Sequence, residues 1–172
     1  MLIPKNETCT TVIDRNDLTV DDYVDGESKW YVYGLEQMIT TPELLDEYID
    51  VSGDGRIELA FEATQNEGYP GTGTTINVYD NVTNELVESF KILIFGDLNG
   101  DAYINAVDVA IATDESLGVT GWSAAHNPDL FIEHRYLAAD VNEDGRINAI
   151  DVTIISDNSL GVYVIDQRLL AD

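Results

Sequence analysis

The sequence predicts an α+β chain of two modules: a β-rich (β-sandwich or β-grasp-like) N-terminal module, followed by an α-helical module built on a duplicated loop–helix unit. Three observations carry this. Runs rich in β-branched and aromatic residues recur between residues 27 and 95, as strands require. Gly96–Gly118 (GDLNGDAYINAVDVAIATDESLG) then repeats without a gap as Ala139–Gly161 (ADVNEDGRINAIDVTIISDNSLG), at a constant offset of 43 residues. Finally, the last strand-like run enters Gly96-Asp97 with no linker, so the two modules are expected to pack rigidly together. The 172 residues are enough for one large domain or two small ones.

Taken in order, residues 1–26 are a polar, acidic leader, expected to be an edge strand or disordered. Residues 27–95 form the β-rich module, with strands expected at Lys29–Gly34, Arg56–Phe61, Thr74–Tyr79 and Leu86–Phe95. Thr41-Pro42 opens a short helix (ELLDEYI) by the capping preference for Thr and the tolerance of proline in a first turn. Asp80–Asn84 is a hairpin turn and EGYPGTG a glycine-rich loop. Residues 96–172 form the helical module. In each repeat a loop leads into a helix carrying Val109, Ala110, Ile111, Ala112 and Leu117, or Val152, Ile154, Ile155 and Leu160, with Gly118 and Gly161 placed to end it. Between the repeats, Asn127-Pro128 reads as a helix start, giving a helix from Asp129 to about Ala138 that offers Leu130, Phe131, Tyr136 and Leu137 to a core. The segment before it is a surface loop containing Trp122.

The charge narrows the function. With 33 acidic residues against 8 basic ones, the surface repels nucleic-acid phosphates and anionic lipid, and it attracts divalent cations. Cys9 is the single cysteine, which excludes an internal disulfide and a cysteine zinc cluster. No run approaches the roughly 20 apolar residues of a membrane span. The opening MLIPKNETC lacks the apolar core of a signal peptide, and the chain reads as a piece of a longer protein.

The acidic residues recur in register at the loops. Calcium takes six to eight oxygens, and a 12-residue EF-hand-like loop supplies them from positions 1, 3, 5, 7, 9 and 12. Counting from Asp97, those positions hold Asp97, Asn99, Asp101, Tyr103 (through its carbonyl), Asn105 and Asp108. Counting from Asp140, they hold Asp140, Asn142, Asp144, Arg146 (carbonyl), Asn148 and Asp151. Two Ca2+ ions are therefore expected. Ile104 and Ile147 at position 8 are expected to pair the loops across a short β-bridge. Position 6 needs a left-handed turn, which Gly145 meets and Ala102 meets only at a cost of about 1–2 kcal/mol. On that ground the first loop is expected to bind more weakly than the second. A third run, Asp50–Glu58, begins similarly but places Phe61 at position 12, so it reads as a turn into a strand. The ions are expected to be structural, with EDTA loosening residues 96–161 and leaving the β-module folded.

The doubled GDxNGDxxINxxD motif with its Leu-Gly helix end resembles the dockerin domains of cellulosomal and amylosomal enzymes and scaffoldins, over residues 96–161. The preceding β-module, ending GTGTTINVYDNVTNELVESFKILIFGDLNGD, is similar to the small X-modules that precede some dockerins. The resemblance implies an extracellular, non-catalytic adaptor, monomeric when unbound, that binds a cohesin domain in a calcium-dependent way. It places recognition residues at loop positions 10 and 11, here Ala106-Val107 and Ala149-Ile150, and further along each helix at Thr113-Asp114 and Ser156-Asp157.

Other functional classes leave weaker traces. No nucleophile elbow, phosphate loop or zinc motif is present, and the two histidines, His126 and His134, both lie between the repeats, so no enzyme is read here. Trp30, Tyr31, Tyr33, Tyr69 and Tyr79 offer a carbohydrate-stacking platform as the alternative function, although aromatics alternating along strands more often form a core. A purely structural, calcium-stabilised surface module is the other alternative. A calcium sensor needs a methionine-lined groove, and neither methionine lies in the helical half.

Overall fold

The computed structural model describes residues 10–12, 19–23, 29–63, 65–119, 121 and 132–167. The leader contributes two strands, β1 (Thr10–Val12) and β2 (Thr19–Tyr23). They are followed by β3 (Lys29–Tyr33), β4 (Asp50–Ser52), β5 (Gly55–Ala60), β6 (Thr75–Asp80) and β7 (Leu86–Ile92). Strands β2, β3, β7, β6 and β5 form one five-stranded sheet in that order, and β1 pairs with β4 in a separate two-stranded ribbon. Neighbours are antiparallel except the β3–β7 pair, which is parallel. The stacked sheets of a sandwich are not found among the described residues. Both faces of the single large sheet are instead covered by other elements.

Strand alternation sorts the side chains between those faces. The register sets Val32 beside Ile92, Ile76 beside Phe90, and Ile57 beside Val78, so these residues share one face. That face is closed by Leu35, Ile39, Leu44 and Ile49, which belong to the crossover between β3 and β4. The crossover contains α1 (Thr41–Glu43), continuing as a π-helical turn over Leu44–Tyr48. Its N-cap is Thr40, one residue earlier than Thr41-Pro42 suggested, because Thr40 forms a reciprocal capping box with Glu43.

The other face carries the join to the helical module. Tyr31 and Tyr33 point away from Val32 and pack with Leu93 and Phe95 against Leu98, Ile104, Ala112, Leu137, Ile147 and Ile155 in one continuous core. Tyr33 and Phe95 meet edge-to-face at 6.2 Å, an arrangement contributing about 0.5–1.5 kcal/mol beyond burial. Tyr31 and Tyr33 are 3% and 0% exposed, which removes them from any stacking platform. Tyr79 lies half-buried beneath the Arg56 guanidinium, and the side chain of Trp30 lies outside the described residues. The expected strand Leu86–Phe95 leaves the ladder at Ile92. Beyond it, Leu93 donates to the Val32 carbonyl and Ile94 donates to Thr72 Oγ1, so the chain stays extended into the first loop.

The helical module comprises α2 (Ala106–Ser116), α3 (Glu133–Ala139) and α4 (Ala149–Ser159), with α2 packed on α4. Both loop-following helices begin at an Asn N-cap, Asn105 or Asn148, whose side chain accepts the amide two residues on. Both end in a Schellman turn. Gly118 and Gly161 have left-handed φ, and the amides of Val119 and Val162 reach back to the carbonyls of Asp114 and Asp157. Helix α3 starts at Glu133, with Ile132 extended before it, later than the Asn127-Pro128 signal implied. That signal, together with Trp122, Leu130 and Phe131, lies outside the described residues.

The seam between modules is polar as well as apolar. Tyr31 donates to Glu133 at 2.7 Å, and Gly96 donates to the Ala138 carbonyl at 2.7 Å. The Gln167 side chain both accepts from the Phe95 amide and donates to its carbonyl. His134 Nε2 lies 3.1 Å from Glu62 Oε1 without hydrogen-bond geometry. Burial lowers that imidazole to about 4, so it is neutral at pH 7.

Candidate metal centres in the duplicated loops

In the first loop Asp97 is fully buried and gathers three backbone amides: Gly100 at 2.8 Å, Thr72 at 2.9 Å and Ala102 at 3.1 Å. Asp108, also fully buried, accepts from the amides of Leu98, Asn99 and Asn105. Asn99 and Asp101 close short turns onto the amides of Asp101 and Tyr103, and the Asn99 amide group donates to Asp101. In the second loop Asp140 accepts from Asp144 and Gly145, and Asp151 accepts from Asn142 and Asn148. The last acid of each loop sits three residues after the Asn N-cap because the end of the loop is the start of the helix. Asp108 and Asp151 therefore complete capping boxes as well as closing the loops.

The acids are poorly matched to their surroundings. Burial pushes Asp97 up to about 7, with the neighbouring Asp108 carboxylate adding to the effect against three opposing amide bonds. Burial likewise pushes Asp140 up to about 6, with Asp151 and Asp144 adding to it, and it raises Asp108 and Asp151. No basic side chain among the described residues forms an ion pair with any of them. A buried carboxylate with a carboxylate neighbour and no cation is an unfavourable arrangement in itself.

The donor set fits a hard cation, since every candidate atom is a carboxylate, amide or main-chain oxygen. Among the described residues no three His, Cys, Asp or Glu side chains stand close enough together to hold a metal by themselves. The Asn amide oxygens and the carbonyls at Tyr103 and Arg146 are thus needed to complete either shell. Tyr103 and Arg146 are exposed.

Left-handed strain is shared equally between the loops, which corrects the sequence argument for a weaker first site. At position 6 Ala102 has φ 67 and Gly145 has φ 77. At position 4, which the sequence reading did not weigh, Gly100 has φ 79 and Glu143 has φ 55. Each loop carries one glycine and one strained L-residue. The β-bridge expected at Ile104 and Ile147 is absent as well. Both side chains enter the core, and the Ile104 amide donates to the Gln37 side chain at 2.9 Å.

Gln37 belongs to the sheet module, and so do the other groups that sequence reasoning missed. Met38 donates to the Ala102 carbonyl at 3.1 Å, and Thr72 donates to Asp97. Gly71 lies so close to the loop that a Cβ there would stand 2.3 Å from the Gly100 carbonyl oxygen. The usable signal was a glycine in EGYPGTG, a residue that permits main chains to approach closely.

Of the expected recognition residues, Ala106, Val107, Ala149 and Ile150 are exposed, Val107 by 51% and Ile150 by 56%. Asp114 is exposed, while Thr113, Ser156 and Asp157 are half-buried, with Thr113 donating to the Val109 carbonyl. The helix ends add further apolar surface. Leu117 and Leu160 are 71% and 72% exposed, and Val119, Val162, Tyr163 and Val164 are exposed beside them.

No curated protein and no solved structure matches the chain. Residues 95–158, which carry both loops and nearly all of both loop-following helices, match the family model of the dockerin type I domain, a family of calcium-dependent adaptors that bind cohesin domains.

Proposed function

We propose that this chain is a non-catalytic adaptor that holds two calcium ions and docks its parent protein onto a cohesin domain of an extracellular polysaccharide-degrading complex. The observation that carries the reading is the doubled apolar pair at the start of α2 and α4. Val107 and Ile150 are held exposed, one residue before the buried Asp108 and Asp151 that close the loops. An exposed apolar side chain on a rigid helix start is a compact docking contact, since little freedom is lost when a partner covers it. Asp97, Asn99, Asp101, Asn105, Asp108 and the Tyr103 carbonyl would hold one ion, and Asp140, Asn142, Asp144, Asn148, Asp151 and the Arg146 carbonyl the other. Calcium supplies the positive charge that the buried carboxylates lack. The loops in turn fix the angle at which each helix presents its pair. The sheet module that precedes the loops is read as an X-module that stabilises the adaptor.

The test is binding to a panel of cohesins in millimolar calcium and again in excess EDTA, with Val107→Asp and Ile150→Asp alongside the unmodified chain. Tight binding to one cohesin, lost in EDTA and weakened at least tenfold by the double substitution, is the expected result. Binding that survives EDTA, or that ignores the double substitution, would overturn the reading.

A further inference from the structure

We propose that the sheet module is a working part of the first calcium loop: Gln37, Met38 and Thr72 hold Asp97–Asp108 in its folded shape, which makes this loop the tighter of the two sites. The inference rests on the reading of both loops as calcium sites.

Three hydrogen bonds reach the first loop from residues remote in sequence. The Thr72 amide takes one oxygen of Asp97, at position 1. The Met38 amide takes the carbonyl of Ala102, at position 6. The Gln37 side chain takes the amide of Ile104, at position 8. These points bracket the left-handed turn at Gly100 and Ala102 from both sides. Met38 is itself held at φ 66, a conformation that a non-glycine residue keeps only where its surroundings impose it. Behind these bonds the main chains are in direct contact. A Cβ on Gly71 would meet Gly100 O at 2.3 Å and Ala102 N at 2.6 Å, and a Cβ on Gly100 would meet Thr72 O at 2.5 Å.

The second loop is the more open of the two, with residues 143–146 exposed. Among the described residues, hydrogen bonds to the side chains of its aspartates and asparagines come from within residues 140–151. Nothing stands within 4 Å of a Cβ built on Gly145, whereas the first loop is enclosed at the equivalent Ala102. The two loops offer the same ligand residue types and carry equal left-handed strain, so the brace is what separates them. A loop already held in its binding shape loses less freedom on binding than one that must be ordered by the ion.

The experiment is a calcium titration of the full chain, followed by the amide resonances of Gly100 and Gly145 as reporters of the separate loops. Gly100 is expected to reach its bound position at lower calcium than Gly145. Gln37→Ala removes two hydrogen bonds, the one that Gln37 accepts from the Ile104 amide and the one it donates to Asn158 Oδ1 on α4 at 3.3 Å. Loss of the first is expected to weaken the first loop about fivefold, while the second loop moves less than twofold. Gln37→Glu loses the donor to Asn158 but keeps an acceptor for the Ile104 amide, and is expected to stay within about twofold of the unmodified chain at the first loop. Gly145 filling first, or Gln37→Ala affecting both loops alike or neither, would overturn the proposal. Should Gln37→Ala lose the sheet-module spectrum, the order of filling in the unmodified chain decides by itself. If neither amide responds to calcium in the unmodified chain, the calcium reading fails and this inference with it.

Discussion

Gly71→Ala isolates the contact between the two modules. Gly71 is not among the residues with left-handed φ, so its backbone accepts alanine, and any cost arises from what the new methyl meets. It would meet Gly100 O at 2.3 Å and Ala102 N at 2.6 Å, both main-chain atoms that no side-chain rotation can move aside. Restoring an ordinary contact requires a separation of about 1 Å between the segments. The adjacent Thr72–Asp97 hydrogen bond, 2.9 Å long, would then exceed its useful limit of about 3.5 Å. Overpacking costs about 1–3 kcal/mol, and loss of a hydrogen bond to a buried carboxylate about 1.5–3 kcal/mol. Together they give about 2.5–6 kcal/mol, a large part of a typical stability of about 5–15 kcal/mol. For a domain of this size that lowers the melting temperature by about 5–24 °C. Urea unfolding followed by circular dichroism, in EDTA and again in calcium, measures the change. Gly68→Ala is the control, since its Cβ meets only the Asn66 side chain at 3.2 Å. Gly145→Ala supplies the strain-only comparison, with φ +77 and open space around it, at about 1–2 kcal/mol. Gly71→Ala falling within about 0.5 kcal/mol of Gly68→Ala, the usual scatter of neutral surface changes, would refute a rigid brace.

Further expectations follow from the same geometry. Without calcium, Asp97 at about 7 and Asp140 at about 6 hold protons that the unfolded chain, with carboxylates near 3.8, has already released. The folded state binds more protons between those values, so stability of the calcium-free protein falls as pH rises from about 4 to about 7; urea melts in EDTA at pH 5 and pH 7.5 check the sign. Calcium requires those acids ionised, so its affinity should weaken as pH is lowered from 7.5 to 5.5, with protons released on binding, both measurable by calorimetry in two buffers. Gln167→Ala removes two hydrogen bonds from Phe95 and should destabilise the chain by about 1–3 kcal/mol in denaturant melts. Chelation should also reach the sheet module, because Tyr31, Tyr33, Leu93 and Phe95 share their core with the helices. Hydrogen exchange in EDTA should therefore quicken at Thr72 and Leu93 as well as within residues 96–161, contrary to the confined loosening expected from sequence.

Much of the site was legible because its information is local. Ligand spacing, the Asn N-caps and the terminal Leu-Gly are set by residues within one loop and one helix, and duplication at a fixed offset exposed them. Strand positions were legible for the same reason, since β3, β5 and β6 each begin and end within a residue or two of the runs rich in β-branched and aromatic residues. Where a local signal had competitors, the boundaries moved by a few residues. Thr40 rather than Thr41 capped α1 because Glu43 was in reach to reciprocate, and α3 began at Glu133 after an extended Ile132.

By itself, then, the sequence determined a β-rich module joined to a duplicated loop–helix module, and the identity of the twelve candidate ligand positions. Only the tertiary structure decided that one face of the sheet shares its core with the helices, that Val107 and Ile150 face outward, and that the loops differ in their surroundings. Position 6 made the first loop look the weaker; the left-handed Glu143 in the second balances that strain, and contacts from Gln37, Met38 and Thr72 enclose the first. The physical reason is range. Turn chemistry acts over a few residues and can be read in order along the chain, whereas burial and bracing depend on groups 25 and 67 positions away, brought together only when the sheet and helices fold onto a common core.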